Sequence, residues 1–173
     1  DTDDAAAIRN MFQRSLSDQE NTAHIDIELL VYLVQWLCDA GVDAIIGNHP
    51  HVVHPFMMKN NIPVAYSLGN FITTPEIKPD ESSNLDEYDI LLNLYLKKQD
   101  GKVKPVKIGF SVLKTIMNPD QSSMVVPVYD LIDRCKDPEE KIKLIEENRC
   151  IVNRFQGHKN DERSPQKEYW IEV

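Results

Sequence analysis

The stretch Asp39-Ala40-Gly41-Val42-Asp43-Ala44-Ile45-Ile46-Gly47-Asn48-His49-Pro50-His51 decides the fold reading. Val42 to Ile46 is a short, mostly β-branched run ending at Gly47, the composition of a buried strand. Just upstream, Ile27, Leu30, Val31, Val34, Leu37 and Cys38 recur at helical spacing, with Gly41 following as the C′ residue. A helix, a tight turn, an apolar strand and a glycine make an α/β unit. The continuous apolar run predicts that the Val42–Ile46 strand is central, buried on both faces, and covered by the Ile27 helix. Ligands in such folds gather beyond the carboxyl ends of the strands, which is where Gly47 to Pro55 falls.

Working outward, Pro63 to Leu68 reads as a second strand, followed by Gly69-Asn70 and a loop rich in Pro, Asp, Glu and Ser from Thr73 to Asp86. From Tyr88 the pattern becomes alternation, with Ile90, Leu92, Leu94 and Leu96 on one face. Asp100-Gly101 then forms a hairpin turn, and Val106, Ile108, Phe110 and Val112 continue on the return strand up to Asn118-Pro119-Asp120. Met124 to Tyr129 is a third antiparallel candidate. A last helix begins with Asp137 as N-cap, Pro138 at N1 and Glu140 at N3, and ends near Gly157. Residues 1 to 24 are polar and acidic, with a helix expected from Ala5 to Leu16. The fold class is α/β, with antiparallel strands following the motif region and residues 1–173 forming a single domain.

Composition narrows the function classes. With 28 acidic against 19 basic residues the chain carries a formal charge of −9, which argues against nucleic-acid binding, since phosphate neutralisation needs a basic face. Its longest apolar runs fall far short of the ~20 residues that cross a bilayer. Cys38, Cys135 and Cys150 lack the paired spacing of a zinc site and read as buried thiols that pack as small hydrophobes. The start, Asp1-Thr2-Asp3-Asp4, has no Met, basic region or apolar stretch of a signal peptide, and is expected of a fragment of a longer protein.

Gly47-Asn48-His49-Pro50-His51 is the segment that reads as chemistry. Imidazole is the commonest metal ligand, and His49 and His51 can share a site where the backbone is extended. Pro50 favours extension by fixing its own φ and disfavouring helix at His49. The two rings are expected to project toward one open pocket that Asn70 also borders. His54 is read either as a further site residue or as a loop residue that hydrogen-bonds nearby; His24 and His158 are expected to be exposed. Asn70 either points its amide at the pocket, where it stabilises an oxyanion or a carboxylate, or occupies a left-handed turn for backbone reasons. Tyr66 and Ser67 read as strand core and strand end, and Asp43 as a turn cap. The acidic stretch from Asp80 to Asp89 lacks the spacing and glycine of a calcium loop and reads as solvated.

The block from Asp39 to Val53, followed by Ala65-Tyr66-Ser67-Leu68-Gly69-Asn70-Phe71-Ile72, resembles the poly-γ-glutamate capsule synthesis family of CapA type. That resemblance implies the C-terminal part of a metallo-dependent phosphatase-like, calcineurin-like α/β sandwich, and extends over residues 29 to 72. In that superfamily the last metal motif is Gly-His-x-His, which implies that His49 and His51 are metal ligands; Asn70 is the candidate catalytic residue on the reading of its own loop. It also implies a divalent metal pair (Mn, Fe or Zn), a polyglutamate or phosphate-containing substrate, and a bacterial membrane-associated or extracytoplasmic setting. This chain has Asn48 where many members have His or Ser, and His54 where Gln is common. The family's earlier motifs, an N-terminal Gly-Asp, an Asn-His element and a His-x-Gly segment, are not found in residues 1 to 24. Two functions follow from the resemblance: a metal-dependent hydrolase of the phosphoesterase kind, or a non-catalytic assembly component of a membrane-bound capsule synthesis complex. The chain by itself is expected to be inactive, because a metal pair about 3.5–4 Å apart needs several ligands.

Overall fold

The computed structural model describes residues 27–48, 51–72, 85–157 and 161–172. The helix expected at Ala5–Leu16, together with His24, His49 and His158, lies outside them. The first unit is helix α1 (Ile27–Asp39) over a small sheet of β1 (Ile45–Ile46), β2 (Phe56–Lys59) and β3 (Ile62–Ala65), in the order β1-β3-β2. β1 runs parallel to β3, and β2 antiparallel to it through the Asn60-Asn61 turn, where both asparagines adopt left-handed φ of 51° and 63°. Asparagine tolerates that conformation better than most side chains, as a two-residue hairpin turn requires.

The helix packs as its spacing predicts. Val34 and Cys38 are buried against Val64 and Tyr66, with Leu30, Val31, Ile45, Met57 and Ile62 around them. The placement of the following strand is different. Only Ile45 and Ile46 pair, β1 is an edge strand among the described residues, and Ile46 is 49% exposed. The central position belongs to β3, whose Val64 meets the helix while Ala65 enters the second, larger core. An apolar run records how much surface a strand can bury; which strand lies between two others depends on crossovers that the run does not encode.

The larger core is built on the long hairpin of β4 (Tyr88–Gln99) and β5 (Lys102–Met117), turning at Asp100-Gly101 as expected. β6 (Ser123–Pro127) and β7 (Tyr169–Ile171) both pair antiparallel with β5. The third antiparallel candidate therefore ends two residues early: Val128 and Tyr129 begin a short helix, α2 (Val128–Arg134). Helix α3 (Pro138–Phe155) starts as its sequence prescribes, with the Asp137 carboxylate accepting from the N–H groups of Glu139 at 2.9 Å and Glu140 at 3.0 Å. Phe155, Phe110 and Tyr169 stack in the middle of this core, with ring centroids 4.9 and 5.1 Å apart, and Phe56 of β2 reaches Phe155 at 5.7 Å.

The small sheet thus has α1 on one face and the large core on the other. Of the three thiols only Cys38 is buried; Cys150 is exposed, so packing does not account for all of them. Among the described residues no helix is long and apolar enough to cross a membrane.

Candidate functional site

Because β1 and β3 are parallel, their carboxyl ends open on the same side of the sheet, and the two motif blocks leave the strands together. Backbone hydrogen bonds continue past the strands. Gly47 N–H donates to Ala65 O at 2.8 Å, Leu68 N–H to Gly47 O at 3.1 Å, and His54 N–H to Ser67 O at 3.0 Å. A β-bridge joins Val53 to Leu68. Gly47 is required by this closeness: a Cβ there would stand 2.2 Å from Tyr66 O.

Residues 51–55 therefore fold back over the 66–71 segment, and His51 meets Asn70. His51 Nδ1 and Asn70 Oδ1 are 2.7 Å apart, while Asn70 Nδ2 donates to His51 O at 3.0 Å. The second bond fixes the orientation of the amide, since a carbonyl oxygen such as His51 O only accepts. Asn70 Oδ1 must then face the ring, and, being itself only an acceptor, it requires the proton on Nδ1. In the neutral ring the lone pair is then on Nε2.

The backbone around this pair departs from the extended course expected beside Pro50. His51 has φ 78° and its N–H turns back to Asn48 O at 3.3 Å. A left-handed non-glycine residue costs about 1 kcal/mol, and Asn70 offsets it with two side-chain bonds. Asn70 is itself not among the residues with positive φ; its neighbours Gly69, at 93°, and Phe71, at 64°, are. The reading of Asn70 as a left-handed turn residue is therefore set aside, and its amide is engaged with His51.

His54 is 2% exposed. Burial, and then the charge of Arg154, lower its pKa from 6.5 to about 4, so it is a neutral interior histidine. Tyr66 is buried with its hydroxyl on Met57 Sδ at 3.5 Å, and Ser67 Oγ accepts from Gly69 N–H at 3.3 Å, as core and strand end respectively. Asp43 is exposed at the start of β1, away from the histidines.

Asp89 was not legible as a site residue. Counted with the solvated acidic stretch, it is instead 1% exposed on β4, and its Oδ1 accepts from Phe71 N–H at 2.8 Å. The alternation beginning at Tyr88 carried a signal, since Asp89 stands between Tyr88 and Ile90 in a strand of the core sheet. Among the described residues no group of three or more His, Cys, Asp or Glu side chains surrounds a metal-sized space. The ring of His51 is held by Asn70 through Nδ1.

An α/β unit whose paired loops present an imidazole at the carboxyl ends of parallel strands is thus defined on geometry alone. Residues 26–75, which contain all of it, match the family described as Bacterial capsule synthesis protein PGA_cap. The chain is 38% identical over 61 residues to the PGA biosynthesis protein CapA of Bacillus subtilis (strain 168), covering 35% of this chain and 16% of that protein. It is 35% identical over 81 residues to the capsule biosynthesis protein CapA of Bacillus anthracis, covering 43% of this chain and 20% of that protein. The matched part thus spans at most a fifth of these relatives. Over residues 26–75 the chain is therefore similar to CapA-type capsule-synthesis proteins, in the region of its two sequence blocks.

Proposed function

We propose that this segment serves capsule biosynthesis by carrying the last metal-ligating element of a metallophosphoesterase-like site, with His49 and His51 as ligands. The observation that carries the reading is the Asn70 amide bonded to both the ring and the carbonyl of His51, which orients a surface imidazole for ligation. A divalent metal pair, when bound, polarises a phosphoryl or acyl group and lowers the pKa of its water. Nitrogen and carboxylate donors suit Mn, Fe or Zn. On this chain His51 presents Nε2, Asn70 fixes the ring, and Gly47 lets the histidine loop lie flat against the Tyr66 backbone. The substrate class that fits is polyglutamate or a phosphate-containing molecule.

A second reading, a non-catalytic component of a membrane-associated capsule synthesis complex, draws on a different feature. Leu29, Tyr32, Leu33 and Trp36 form an exposed apolar stripe on α1, at the spacing of one helix face.

Calorimetric titration of Mn or Zn into the 173-residue chain tests the ligand role. Weak binding that disappears in His51→Ala and His49→Ala is expected, together with no phosphoesterase turnover by the chain alone. The same assays on a full-length CapA-type protein carrying this segment separate the readings. Chelator-sensitive hydrolysis lost with His51→Ala supports the enzyme; metal-independent assembly that survives His51→Ala, without turnover, supports the scaffold.

A further inference from the structure

Asp89 belongs to the large sheet, yet it touches the loop that carries Asn70. Its Oδ1 holds the N–H of Phe71, and the backbone N–H of Asn70 also favours its charged form. Next to it on β4, Ile90 N–H donates to Leu68 O at 2.8 Å, so the strand grips the loop on both sides of Gly69. The fit is close: a Cβ at Gly69, whose φ is 93°, would stand 2.4 Å from Asp89 Oδ1.

The loop needs such a grip. Phe71 is an exposed aromatic residue at φ 64°, a conformation that persists only where neighbouring structure imposes it. Meanwhile Asp89 Oδ2 has no hydrogen-bond partner among the described residues, although the side chain is 1% exposed. Burying a carboxylate with one oxygen unanswered is costly, and a sequence optimised for stability alone would place an apolar residue there.

We propose that Asp89 is the positioning residue for His51, acting through the backbone of the 69–71 loop and the amide of Asn70. The proposal rests on the reading of His51 as a metal ligand and names what orients it. The order of action is carboxylate, loop backbone, amide, imidazole. Each link is one hydrogen bond or one peptide unit, and the outcome is a single tautomer with the proton on Nδ1. A purely structural Asp89 would hold the loop's stability and leave the ring's tautomer unchanged.

The test is a long-range 1H–15N spectrum of the His51 ring in the metal-free 173-residue chain, at a pH where the imidazole is neutral. The native chain is expected to show Nδ1 protonated and Nε2 in the unprotonated range. Asn70→Ala should lose this, with Nε2 shifting toward the protonated range, and Asp89→Ala should shift the same way. Asp89→Asn keeps an acceptor for Phe71 N–H and should restore the native spectrum. Gly69→Ala leaves the carboxylate in place but pushes the loop off it. It should reproduce the Asp89→Ala shift, and it decides the matter should Asp89→Ala fail to fold. A native-like ring in Gly69→Ala, or in folded Asp89→Ala beside an altered ring in Asn70→Ala, would overturn the proposal. So would Nε2–H in the native chain. Because the readout contains no metal, a failure of metal to bind counts against the ligand assignment and leaves the Asp89 coupling standing.

Discussion

The two halves of the molecule are built to different standards. The large sheet has strands of 12 and 16 residues paired along their length with one register shift at Tyr95/Leu96, a helix of 18 residues, and a buried aromatic centre. The small sheet has strands of two to four residues and an edge strand half open to solvent, yet it carries the histidine loop. Its site loops contain left-handed His51 and Phe71, whereas the β4–β5 hairpin reserves positive φ for its Asp100-Gly101 turn. Strain is thus gathered in the loops that carry His51 and Asn70, which bond to the neighbouring sheet through Asp89 and Ile90.

The largest expected effect breaks the stronger half. Phe155→Ala opens a cavity between Phe56 and Phe110 and should cost about 3–5 kcal/mol by denaturant unfolding, enough to threaten folding altogether. Since Phe56 belongs to the small sheet, both halves should unfold in one transition; two separate transitions would divide the molecule in a way the shared core does not allow.

Acid should act next, through His54. Its pKa is lowered from 6.5 to about 4 in the folded chain. The stability this provides is fully present above the unfolded pKa and is lost as pH falls through the folded one. Between pH 7 and 4 the loss should approach about 3 kcal/mol, and His54→Gln should flatten that slope. Asp89 works in the opposite sense. Burial raises its pKa, so its ionisation disfavours the folded state as pH rises. An unchanged slope in His54→Gln would show that another group sets the acid limit.

Within the weaker half, Val64→Ala removes a fully buried side chain from the centre of the small core and should cost about 2 kcal/mol. Native-state hydrogen exchange sharpens the contrast: Gly47 and Leu68 amides should exchange through openings smaller than those needed at Ile108 or Phe110. The smallest effect is expected at the rim, where Asp137→Ala removes the α3 cap at a cost of about 1 kcal/mol.

How legible these halves were in the sequence follows from how local their signals are. The β4–β5 hairpin was readable because alternation and Asp100-Gly101 lie within the element itself, and α3 because Asp137, Pro138 and Glu140 form one local start signal. β2 was missed although Asn60-Asn61 marks its turn, since Phe56-Met57-Met58-Lys59 shows no clean alternation. Pro127 is the N-cap of α2 but has no side-chain capping bond, and the apolar run on both sides of it hid the start of the helix. At the site, the family resemblance brought His51 and Asn70 together, and the parallel pairing of β1 with β3 explains why they meet. Asp89 stayed hidden because its burial is set by a loop 18 residues earlier, folded over it by contacts no local pattern encodes.

The central proposal, that His51 serves as a metal ligand at the carboxyl ends of β1 and β3, is tested most directly by titrating Mn2+ into the 15N-labelled chain and mapping paramagnetic broadening. The account predicts broadening confined to residues 47–54 and 67–71, abolished by His51→Ala, with the signals of β5 and α3 unaffected. Broadening centred on the acidic stretch from Asp80 to Asp86, and unchanged in His51→Ala, would contradict it.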